Sequence, residues 1–165
     1  MTTVTSRIPS LISYLVAAFT NSALLGQASP AVTVFDGPAT TGLDAQLKLF
    51  VGLHDPDSDT AEPAASSVQE WAALGRLGRN EEITIHCCAE AWAGTDDLAT
   101  VRTSVTGIVA AVEQVMQADT TQFGGNVLYP NPGLTNVSSP QNSDTGKGVI
   151  VRQPFDLIFM CRIGG

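Results

Sequence analysis

Positive charge is scarce in this chain. Eight lysines and arginines stand against sixteen aspartates and glutamates, a formal net charge of -8, and the eight are strung from Arg7 to Arg162 without forming a cluster. Tight duplex binding needs grouped basic side chains to neutralise phosphates, so that class is disfavoured. An acidic surface repels DNA and suits a conduit better than a clamp. Cysteine is scarce too, with only Cys87, Cys88 and Cys161. Neighbours on a strand point to opposite faces, so a Cys87–Cys88 bond would need unusual geometry. Three cysteines give neither a disulfide framework nor a zinc-site spacing, and reduced, intracellular thiols are the expectation. No apolar run reaches the ~20 residues that span a bilayer. Phosphate-binding signatures are also missing: there is no Gly-Lys-Ser/Thr, and no G-x-G-x-x-G follows a strand. Gly75, Gly78 and Gly94 therefore read as turn residues, and no cofactor is expected.

What is present is mostly architectural. At 165 residues and 44% hydrophobic, the chain fits one domain, residues 1–165, that can bury a core. Near the start, Leu11–Phe19 is apolar, with Arg7 before it and Gly-Gln-Ala-Ser-Pro-Ala after it, the layout of a signal peptide. Polar residues interrupt it, however, and Ile8, Leu11, Ile12, Leu15, Val16 and Phe19 keep amphipathic helical spacing. A first helix over Ser6–Leu25 is predicted, with Pro9 in its first turn and Gly26 at its end. Strands are predicted at Ala31–Phe35 and Leu47–Leu53, followed by the acidic loop His54–Ala65. Ser67–Leu74 and Glu82–Trp92 should form a long hairpin turning at Gly78-Arg79-Asn80.

In the returning strand, Ile83, Ile85, Cys87, Ala89 and Ala91 share one face, small and apolar, that should meet the core. Thr84, His86, Cys88, Glu90 and Trp92 share the other, read as a solvated or interface face. Thr95 or Asp96 should cap a second helix whose buried stripe is Leu98, Val101, Val105, Ile108, Val109, Val112, Val115 and Met116. Beyond Asp119, short strands are expected at Asn126–Tyr129 and Leu134–Val137, then a flexible stretch at Ser138–Gly148. Val149–Val151 and Phe155–Ile163 supply the last strands. Helix, strands, helix, strands implies an α+β fold: one mostly antiparallel sheet with two helices packed on one face.

Candidate chemistry is thin. His86, Cys88 and Glu90 lie two apart on one strand face, but such side chains splay about 7 Å apart, too far to chelate a metal unaided. A Cys88 nucleophile with His86 as base lacks an orienting third group and an oxyanion loop. Asp55, Asp57 and Asp59 resemble the opening of a calcium loop, yet Ser66 stands where the bidentate glutamate belongs. The expectation is no catalytic residue and no metal. Trp71 and Trp92 should frame the hairpin as packing or interface aromatics.

With the hairpin and second helix laid out, the chain resembles the tail terminator proteins of long-tailed phages, especially those of actinobacteria. The matching residues run in order: Leu49-Phe50-Val51-Gly52, Asp55-Pro56-Asp57, Gln69-Glu70-Trp71-Ala72-Ala73-Leu74-Gly75 and Asn80-Glu81-Glu82-Ile83-Thr84-Ile85. Ala91-Trp92-Ala93-Gly94, Ala99–Arg102, Val112-Glu113, Gly124-Gly125-Asn126-Val127 and the apolar last strand complete the set, which covers residues 8–163.

The resemblance implies a virion structural protein, not an enzyme: a homo-oligomeric ring, typically a hexamer, at the head-proximal end of the tail. Such a ring stops growth of the tube, abuts the major tail tube protein, presents a surface to head-completion or connector proteins, and lets DNA pass without sequence-specific binding. It would assemble in the bacterial cytoplasm and touch no membrane. Interface candidates are His54, Asp55, Asp57 and Asp59 in the acidic loop and Trp71, Arg76, Arg79 and Trp92 around the hairpin. Tyr129, Asn131, Asn136, Asn142 and Lys147 are those of the later loop. Alternatives are another head-completion or minor tail subunit, a secreted binding module, or a thiol-dependent enzyme.

Overall fold

The computed structural model describes residues 4–72, 78–128, 133–144 and 146–164, with Asp144 described by its backbone alone. Arg76, Tyr129 and Asn131 lie outside the described residues. In chain order the elements are α1 (Ile8–Asn21), β1 (Thr33–Asp36), β2 (Leu47–Val51), β3 (Ala65–Trp71), β4 (Arg79–Ala93) and α2 (Leu98–Gln117). They continue with the single turn α3 (Gln122–Gly125), β5 (Gly133–Thr135), β6 (Gln141–Asp144) and β7 (Val149–Ile163). The strands form one seven-stranded sheet, antiparallel except for the β1–β2 pair. This is the α+β fold expected from the sequence, with the helices packed against the sheet.

The axis of the sheet is the β4–β7 ladder, which runs in unbroken register from Arg79 opposite Ile163 to Ala93 opposite Val149. Each of its long edges carries two short strands end to end. On the β4 side, β3 pairs with Arg79–Ile85 and β2 with Cys87–Ala91. On the β7 side, β5 pairs with Asp156–Ile158 and β6 with Val149–Arg152.

The last strands expected as two pieces are therefore one strand. The gap between Val151 and Phe155 is bridged, and Pro154 is tolerated within it because its carbonyl points away from β4 and accepts from the Ser138 N–H. Its ring nitrogen points the same way, into the gap between β5 and β6, where no ladder bond is lost. The turn expected at Gly78-Arg79-Asn80 is corrected: Arg79 and Asn80 already belong to β4, opposite Trp71 and Glu70. The pairing with β7 extends that far and draws both residues into the ladder. The stretch read as flexible at Ser138–Gly148 contains β6, and the described part of the strand expected at Asn126–Tyr129, residues 126–128, shows a single bridge between Val127 and Cys161.

One sheet face, here the inner face, meets the helices. Ile83, Ile85, Cys87, Ala89 and Ala91 of β4 are buried there, as the alternation predicts, with Val151, Phe155, Leu157 and Phe159 of β7. Leu11, Ile12, Leu15 and Phe19 of α1 cover them together with Val101, Val105, Ile108, Val109, Val112 and Met116 of α2. Leu98 and Val115 lie at the half-buried margin of that stripe. Each fully buried large side chain contributes about 1.5–3 kcal/mol relative to exposure.

The helix ends differ in detail from the expectation. α1 stops at Asn21, and the Gly26 N–H folds back onto the Phe19 carbonyl. A Cβ on Gly26 would stand 2.0 Å from the Thr20 carbonyl oxygen, so the approach admits only glycine. α2 is capped by Asp97, not Thr95 or Asp96, because the Asp97 carboxylate receives both the Thr100 N–H and the Thr100 hydroxyl. The start of α1 is met by a carboxylate from the sheet: Glu81 accepts from the Ser6 hydroxyl at 2.6 Å, the Arg7 N–H at 2.8 Å and the Gln69 amide at 3.0 Å. Burial alone would raise the Glu81 pKa, but these donors outweigh it and the net direction is down. Among the described residues, no helix is long and apolar enough to cross a membrane.

Candidate functional site

The opposite, outer face carries the polar chemistry, in rows set by strand register. The first row crosses three strands: Lys48 of β2 is opposite Glu90 of β4, which is opposite Arg152 of β7. Lys48 Nζ donates to Glu90 Oε1 at 2.8 Å and Arg152 Nε to Oε2 at 2.7 Å. Arg152 also grips Asp57 through both terminal nitrogens. Burial would lower the Arg152 pKa, but its bonds to Asp57 and Glu90 prevail and raise it. Lys48 and Glu90 are buried charges held by one another. One register step along lies an apolar row of Phe50, Cys88 and Leu53, with Phe35 stacked on Phe50.

The next row joins three segments at one carboxylate. His86 of β4 is opposite Asp156 of β7, and its Nδ1 lies 2.7 Å from Asp156 Oδ1. His54, at the head of the acidic loop, places Nε2 2.7 Å from the same oxygen. Asn136 donates its amide to the other oxygen, Oδ2, at 2.7 Å. Burial would raise the Asp156 pKa, but the Asn136 amide and the two imidazoles outweigh it and hold the carboxyl below its ordinary value.

Local backbone builds this arrangement. Gly52 ends β2 with φ +82, a conformation open to glycine, and turns the chain so that the Gly52 and Leu53 N–H groups both reach the His86 carbonyl. His54 is thereby anchored beside His86, and the two rings lie 4.4 Å apart. Glu62 closes the loop from its far side by accepting from the His54 and Asp55 N–H groups.

The sequence-derived candidates thus have several fates. His54 and Asn136, placed in separate loops by sequence, converge on Asp156. Asp55, Asp57 and Asp59 are all exposed; Asp57 is tied to Arg152, and Asp55 Oδ1 accepts from the Asp57 N–H. Asn142 accepts from Arg102 on α2. Trp92, half-buried, and exposed Lys147 line a cleft of about 290 Å³ whose floor includes Lys48 and Glu90. Trp71 is 69% exposed at the end of β3, with the Arg79 guanidinium 6.0 Å from its ring centre and bonded to Gln69.

Of the solvated or interface face expected on β4, the solvated reading is corrected: Cys88 and Glu90 are buried and His86 is half-buried, beneath the acidic loop and the Lys48 and Arg152 side chains. The considered trio His86, Cys88, Glu90 does not form a group; His86 turns instead to His54 and Asp156. Burial pushes the Cys88 thiol up to about 12 and Cys161 to about 11, and raises Cys87 further, so all three stay protonated near neutrality. The chain matches no known family model and shows no significant similarity to any curated protein.

Proposed function

We propose that the protein is a structural subunit of the phage tail terminator type, one that acts by presenting surfaces to copies of itself and to tail and head components. The observation that carries this reading is the free margin of β3. Among the described residues the strand pairs with β4 alone, and it shows Val68, 62% exposed, on one face and Trp71, 69% exposed, on the other. An uncovered strand margin with apolar side chains on both faces is a template for association with another chain. A head-to-tail contact through this margin, repeated by a rotation that closes, makes a ring. The acidic balance of the chain fits a ring through which DNA passes without being held.

Support from sequence is the ordered resemblance over residues 8–163, whose segments fall on the β2 end, the β3–β4 hairpin and α2. In this reading the subunit stops tube growth by offering a tube-like contact on one ring face alone, and it needs no catalytic group.

Electron microscopy of particles assembled without the protein tests it. Overlong tail tubes are expected. Normal-length, unjoined tails would assign the chain to another head-completion or minor tail role. Normal, joined tails would overturn the structural reading altogether.

A further inference from the structure

The row at Asp156 has the composition of a metal centre, and the β3-margin contact proposed above makes no use of it. We propose that His54, His86 and Asp156 bind one divalent transition-metal ion of the zinc type, through a nitrogen from each imidazole and a carboxylate oxygen. This inference stands independently of the tail reading.

One ligand atom from each of the three residues lies within 4.8 Å of the other two. Zinc holds nitrogen and oxygen at about 2.0–2.2 Å, so tetrahedral ligands stand about 3.3 Å apart. His54 Nε2 and His86 Nδ1 are each 2.7 Å from Asp156 Oδ1, so each pair opens by only about 0.6 Å to admit the ion. His54, on a loop and partly exposed, can supply that movement by side-chain rotation.

Two imidazoles and one carboxylate favour zinc and its neighbours over calcium or magnesium, which prefer all-oxygen shells. In the metal-free chain the nitrogen aimed at Asp156 is the donor to the carboxylate; the ion displaces that proton, and each neutral imidazole coordinates through this nitrogen with its remaining proton on the other ring nitrogen. The surroundings are those of a prepared site. Asn136 fixes Asp156 Oδ2 and leaves Oδ1 for the ion, the part that outer-sphere partners play around metal ligands. Paired β-strands fix His86 relative to Asp156, and the Gly52 and Leu53 N–H groups fix the start of the His54 loop. Thr135, opposite Asp156 across β5 and β7, has a buried hydroxyl oxygen with no hydrogen-bond partner among the described residues. It offers that face a polar group for a water completing the ion's coordination. The bound ion would pin the acidic loop and the Asn136 segment to the ladder at one point.

Calorimetric titration of the full chain, stripped with chelator, with Zn2+ tests the proposal, and Co2+ absorption reports the ligands. One ion per chain is expected. His54→Ala and His86→Ala should each weaken binding by about 100-fold or more, and Asn136→Ala by about 10-fold, as loss of an orienting partner does elsewhere. His54→Ala changes a partly exposed loop residue, so it keeps the test decisive should His86→Ala fail to fold. Failure of the unaltered chain to saturate at one ion would overturn the site. So would undiminished binding by His54→Ala, or a Co2+ spectrum with thiolate charge-transfer bands, which would move the ion to a cysteine.

Discussion

On its inner face the sheet meets helices; on its outer face it meets loops. Both faces contain residues withdrawn from water, but by different physics. Phe155, Leu157 and Phe159 are buried against the helices through non-directional apolar contact. Arg152 and Asp156 are bound by Asp57 and His54 of the acidic loop, and Glu90 by Lys48 and Arg152 from the neighbouring strands. The first face depends on volume, and a missing side chain leaves a hole. The second depends on pairing, and a missing partner leaves a charge. A face built the second way can carry chemistry, because its groups are already desolvated and aimed.

The sharpest way to test the contrast is to create a hole. Phe155→Ala should cost about 4 kcal/mol in urea unfolding, within the range for buried aromatics. A loss below about 1 kcal/mol would mean that the inner face is not the main core.

Next comes removal of one partner on the outer face. Glu90→Ala strands the buried Lys48 and leaves the half-buried Arg152 with Asp57 alone, and should cost about 3 kcal/mol. Replacing all three by apolar residues (Lys48→Met, Glu90→Leu, Arg152→Met) should restore most of that loss, since no buried charge is left unpaired; Asp57, which loses Arg152, is exposed to water. If the triple variant is no more stable than Glu90→Ala, pairing does not explain the row.

The smallest effect concerns the exception on the inner face, Glu81. Its folded pKa lies below the ordinary 4.5. The stability it contributes is therefore complete above pH 4.5 and is lost as the pH falls through the lowered folded value. Glu81→Gln should flatten the fall of the urea midpoint in that acid window. Parallel curves for the variant and the unaltered chain would show that Glu81 is not among the groups responsible.

What could be read from sequence follows the reach of each signal. The α2 stripe and the β4 alternation are local periodicities, and both lie where the spacing puts them. End positions were less legible: Thr95, Asp96 and Asp97 are all fit to cap α2, and only the approach of Thr100 selects Asp97. The continuity of β7 across residues 152–154 was illegible for a related reason, since the harmlessness of Pro154 depends on which side of the strand its nitrogen faces. The metal-like row was beyond local reading. His86 and His54 reach Asp156 across 70 and 102 positions of chain, through the register of strands that pair only in the fold. The partial signal was available in the count: with only two histidines in the chain, their meeting at one carboxylate was a question worth posing. Arg76, Tyr129 and Asn131 fall outside the described residues.

The continuity of β4 and β7 has a mechanical consequence. Fifteen residues of each strand, a span of roughly 45–50 Å, are laced together without a joint. Such a spar has no hinge at which its two halves could swing apart. Push on the Trp71 end and the Trp92 end must move with it, as a lever moves. Amide hydrogens along both strands should therefore surrender to solvent together, in one cooperative opening.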